Sequence, residues 1–121
     1  MLRPGGRLVL STPNALSAAH RLYGQCWRGL EPPRHQHIFS PAALERCARD
    51  CGFMELKRFT LSAESAGIYR AGDQLRAAQG GAPASSATAS VVQSWFLRHR
   101  EFRQTLREPD AGQDLFLIVA K

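Results

Sequence analysis

Long apolar runs are what this 121-residue sequence most plainly lacks. The longest, Leu8 to Leu10 and Leu115 to Ala120, fall far short of the roughly 20 residues a membrane-spanning helix needs. Met1 to Arg7 carries charge and two glycines but is followed by no apolar stretch of signal-peptide length, which predicts a cytoplasmic protein. Lysine is scarce as well, with two residues against fourteen arginines. The net charge is +6, yet the basic residues are spread along the chain and form no block of five or six like charges, so nucleic-acid binding is not expected. Cysteine is limited to positions 26, 47 and 51. An odd count argues against a disulfide framework, and Cys47 and Cys51 share a helical face with Leu44, predicting buried, reduced thiols.

The best-marked stretch is Leu30 to Phe53, LEPPRHQHIFSPAALERCARDCGF. Ser40 can accept a hydrogen bond from a first-turn amide, and Pro41 sits where a missing N–H costs nothing, so a helix starts there. Leu44, Cys47, Ala48 and Cys51 follow at i, i+3, i+4 and i+7, and Gly52 supplies a left-handed stop. Phe53 to Leu61 then turns to β-formers.

Before this stretch, Pro4 and Gly5 suit the two central positions of a type II turn. Arg7 to Thr12 reads as a strand whose consecutive Leu8, Val9 and Leu10 predict cover on both faces. Asn14 is the expected cap of a helix over Ala15 to Tyr23, stopped by Gly24. After it, Ser65 to Gln79 is predicted helical despite Gly67 and Gly72, and Gly80 to Ser90 is small and polar enough to predict a flexible loop. Val91 to Arg107 is a further helix. Its stripe of Val92, Trp95, Phe96, His99, Phe102 and Leu106 is expected to pack on the sheet, a reading preferred over contact with an anionic membrane. Asp114 to Ala120 is the last strand. No internal repeat is visible, and residues 1–121 read as one α/β domain.

Taken together, LRPGGRLVLSTPN, PPRHQHIFSPAALERCARDCGF and DLFLIVAK resemble the C-terminal half of a class I S-adenosylmethionine-dependent methyltransferase, the group that includes the quinone-biosynthesis O-methyltransferases. The resemblance implies a partial Rossmann-like methyltransferase fold with about three strands: Arg7 to Thr12, Asp114 to Ala120 and Phe53 to Leu61 in spatial order, the last strand of the chain antiparallel between the other two. It implies methyl transfer from S-adenosylmethionine to a small-molecule acceptor, by O-methylation. The family's cofactor loop of glycines follows its first strand, whereas Gly5 and Gly6 precede one, so no cofactor-binding residue is expected in this chain, and the isolated chain is expected to be inactive. The outer edge of Arg7 to Thr12 would then be unpaired and would join a second copy or a missing amino-terminal half. The alternative is a non-catalytic remnant that binds a partner through that same edge.

In-line methyl transfer to a hydroxyl needs alignment and a base to take the proton. A free imidazole titrates near neutrality, which makes His37, and after it His35, the expected catalytic candidates. Asn14, Trp27 and Arg34 are the expected substrate-binding residues, although the histidines can equally brace the helix start at Ser40 and Trp27 can serve as lid packing. A zinc site from His35, His37, Cys47 and Cys51 is not favoured, because HxH followed by CxxxC matches no familiar finger spacing.

Overall fold

The protein is described by a computed structural model covering residues 2–62, 65–81 and 91–121. The chain opens on a type II turn: the Gly6 N–H donates to the Arg3 carbonyl at 2.8 Å, and Gly5 takes the positive φ of 74° that the turn demands. Strand β1, Arg7–Pro13, follows. Helix α1, Ala18–Tyr23, is shorter than predicted, and its cap is Ser17, whose hydroxyl accepts from the His20 N–H. Asn14 does not cap it, because its side chain is engaged elsewhere. Two 3-10 turns, Gly24–Cys26 and Arg28–Leu30, lead towards α2, Pro41–Asp50.

Helix α2 begins and ends as its sequence predicts. Ser40 accepts from the Ala43 N–H with Pro41 next in line. At the other end the Phe53 N–H reaches the Ala48 carbonyl at 3.0 Å and the Gly52 N–H reaches Arg49 at 2.9 Å, a Schellman pair around Gly52 at φ 79°. Strand β2, Met54–Leu61, comes next, with a bulge between Glu55 and Lys57. Helices α3, Ser65–Ala78, and α4, Val91–Arg107, precede β3, Asp114–Ala120. The predicted flexible loop over 80–90 lies outside the described residues from position 82 onward.

The sheet has the order β1-β3-β2, with β3 antiparallel to both neighbours. Register pairs Leu10 with Leu117 and Arg58 with Leu117, so one residue of β3 links the two flanking strands at each step. Leu115, Leu117 and Val119 point to one face and are essentially inaccessible, packed with Leu44 and Ala48 of α2 and with Leu8, Leu10, Phe39 and Phe53. Expectations for several other elements are corrected here. Val9 is 61% exposed, so β1 is covered on one face only, because α2 lies on a single side of the sheet. Cys47 and Cys51 are exposed and Cys26 is the buried thiol: α2 buries Pro41, Leu44 and Ala48, and the cysteines fall beyond that arc. On α4, Phe96, Phe102 and Leu106 face away from the protein, and among the described side chains of the helix the buried one is Glu101, held by the Gln113 amide at 2.6 Å; the side chains of Val92 and Trp95 lie outside the described ones.

A second apolar cluster lies beyond the strand ends: Ala19, Tyr23, Cys26, Trp27 and Tyr69, bordered by Leu30, Ile38 and Ile68. Gly72 makes this cluster possible, since a Cβ there would come within 2.8 Å of the Tyr23 ring.

Candidate functional site

The carboxyl ends of β1 and β2 and the amino end of β3 meet, as the pairings Pro13 with Asp114 and Leu61 with Asp114 show. Asn14 locks this junction. Its N–H donates to the Gln113 carbonyl at 2.9 Å, its Nδ2 donates to the carbonyls of Asp110 (2.6 Å) and Gly112 (2.7 Å), and its Oδ1 accepts from the Leu16 N–H at 3.0 Å. With no accessible surface, the side chain spends both its donor and its acceptor on the backbone. The Ala15 N–H donates to Phe39, which brings the segment after His37 alongside the strand end.

Over the junction opens a cleft of 430 Å³, walled by Ser11 to Pro13 of β1, the loop from Trp27 to His35, Ile68 of α3, and Gln113 and Asp114. Open α/β sheets take their ligands at such carboxyl ends. Trp27 is 1% exposed and stacks on His20, their ring centroids 4.6 Å apart and planes 25° apart. His20 is fixed in turn by its Nδ1, 2.7 Å from the Ala15 carbonyl. Gly29 lies flat against the indole, where any Cβ would overlap the ring. The Gly29 carbonyl is 3.0 Å from Nδ1 of His35. A carbonyl oxygen only accepts, so Nδ1 carries the proton, and Nε2 of the neutral ring is left as the proton acceptor. The rim is charged: Glu31, in the left-handed region at φ 31°, pairs with Arg28 and, at 3.2 Å, with Arg34.

Of the five residues singled out in the sequence, Trp27, Arg34 and His35 line this cleft together. His37 is exposed outside it, with its ring 6.4 Å from Phe39, and Asn14 lies beneath the junction rather than in the cleft wall. Gly29, Glu31, Gln113 and Asp114 were not singled out. A glycine two residues after a tryptophan, and a glutamate three residues from an arginine on either side, are the traces they leave in the sequence. Among the described residues no group of three or more His, Cys, Asp or Glu side chains converges for a metal, and no helix is long and apolar enough to cross a membrane.

Two other polar groups lie nearby. Tyr69 is buried, and burial first, with the Glu101 carboxylate second, pushes its hydroxyl up to about 12. Tyr23 is raised further, by burial and by its hydrogen bond to Asp73 at 3.0 Å. Neither phenol is suited to give up its proton at neutral pH, so neither competes with His35 as a base.

No curated protein matches the chain. Residues 1–56, the span holding β1, the cleft loop and α2, match the model of a family described as a methyltransferase domain. That match is a likeness over those residues, and the α/β architecture is compatible with part of such a fold.

Proposed function

We propose that this chain is the acceptor-side part of an S-adenosylmethionine-dependent O-methyltransferase acting on a small hydroxylated molecule, of the kind the quinone-biosynthesis enzymes represent. The observation that carries the reading is His35 in the cleft wall, with Nδ1 held by Gly29 and Nε2 free to accept. The acceptor would bind beside Trp27 and Arg34, where His35 Nε2 would accept the proton of its hydroxyl and Arg34, held by Glu31, would orient it. His35 replaces His37 as the favoured base.

The described residues do not fit the methyl donor. The Gly5 N–H is spent on the Lys121 carbonyl at 2.8 Å and the Gly6 N–H on Arg3, while Gly29 is pressed against Trp27, so no run of glycine amides after a strand is open to a ligand. The donor would therefore be held by another polypeptide segment. Calorimetry tests both halves of the reading. A dihydroxybenzene should bind, with affinity lowered about tenfold by His35→Ala, a loss of one hydrogen bond, and S-adenosylhomocysteine should not bind. Absence of acceptor binding would remove the proposal.

A second reading is a non-catalytic partner-binding domain. It is favoured by β1 itself, which has β3 as its one neighbour among the described residues and exposes Val9.

A further inference from the structure

We propose that the outer face of α4 docks on an anionic lipid bilayer. Phe96, Phe102 and Leu106 are 68%, 58% and 69% exposed. Arg103 and Arg107 lie beside them and, with Arg100, whose guanidinium also meets the Tyr69 hydroxyl, line a shallow hollow of 640 Å³ together with Phe96, His99, Gln104 and Glu108. The acid on the helix, Glu101, is turned inward to Gln113, and Glu108, just past its end, is paired with Arg21 at 2.8 Å. The outer face therefore presents guanidinium groups interleaved with bulky apolar side chains and no carboxylate from within the helix.

That pairing selects the occupant. A face that only met water would gain nothing from two phenylalanines and a leucine so far exposed. Nucleic acid would reward the arginines but leave Leu106 without a role. The boundary of an anionic bilayer rewards both, with guanidinium groups at the phosphates and apolar side chains among the first acyl carbons. The chain's excess of six positive charges adds attraction of the same sign. Since no described helix is long and apolar enough to cross, the helix lies along the surface.

The test is co-sedimentation of the full chain with vesicles of phosphatidylglycerol and phosphatidylcholine, against vesicles of phosphatidylcholine alone. Binding to the anionic vesicles alone is expected. Arg103→Gln with Arg107→Gln should weaken it about 25-fold, from roughly fivefold per arginine. Phe102→Ser with Leu106→Ser should also weaken it while leaving its salt dependence intact. All four positions are exposed, and denaturation midpoints confirm that the variants fold. No binding to anionic vesicles, equal binding to both kinds, or indifference to the arginine changes would overturn the proposal. So would RNA binding that the arginine variant abolishes without any vesicle binding, or a dimer in vesicle-free solution that the serine variant dissociates.

Discussion

Asn14 shows how a single side chain can be misread from its neighbours and yet be decisive. As a cap it would have satisfied one amide; as observed it satisfies the carbonyls of Asp110 and Gly112 and the N–H of Leu16. Asn14→Ala should cost about 3 kcal/mol, since it leaves buried backbone groups without partners, and Asn14→Asp should cost more by setting a carboxylate against two carbonyls. Denaturant midpoints will show it; a loss below about 1 kcal/mol would contradict the lock. Gly72 tests the opposite intuition. Alanine there gains about 1 kcal/mol in helix propensity, but its Cβ meets the Tyr23 ring, and overpacking costs about 1 to 3 kcal/mol. The variant should therefore be the less stable protein. Tyr69 sets an alkaline limit. Its folded value, about 12, lies above its unfolded value of 10.0, so the fold holds that proton more tightly. The associated stability is complete below pH 10 and is lost as pH rises towards 12, about 3 kcal/mol in all. Tyr69→Phe should flatten that part of the pH profile of the unfolding midpoint.

At the scale of elements, the ends of α2 were legible and the start of α1 was not, while the faces were legible only in part, Leu44 and Ala48 buried as expected and Cys47 and Cys51 not. Ser40, Pro41 and Gly52 act through their own backbone, so their spacing was enough to place α2. The direction a helix faces depends on what lies opposite, which local spacing does not record. Cys47 and Cys51 sat on a correctly drawn stripe whose edge, in the structure, falls beyond the sheet. A thiol reagent should accordingly label two cysteines at once and Cys26, hydrogen-bonded to Gln79, only on unfolding. Three fast thiols, or one, would contradict this burial. The same blindness affected α4, whose range was read correctly from periodicity. Among its described side chains the one turned inward is Glu101, which meets Gln113 in a polar contact that no apolar count reveals.

For the whole molecule, the order of the three strands and the antiparallel run of the last came from resemblance, because spacing alone cannot say which strands are neighbours. The cleft was half legible: the loop carrying Trp27, Arg34 and His35 stood out by residue type, whereas Gln113 and Asp114 arrive there through sheet pairing from the far end of the sequence. The edge of β1 carries a prediction at this scale. Edge strands with exposed apolar residues tend to associate, so sedimentation should find oligomers, and Val9→Lys should shift them towards monomer. A stable wild-type monomer would count against this.

The strand that joins the sheet is also the one synthesised after the other two. Until Asp114 to Ala120 have been made, β1 and β2 have nothing to pair with, because each finds its hydrogen bonds on β3 alone among the described strands. A nascent polypeptide halted before Asp114 should leave the amides of both earlier strands open to hydrogen exchange, however long the pause. Helix α2 therefore waits with its apolar side uncovered until Leu115, Leu117 and Val119 emerge.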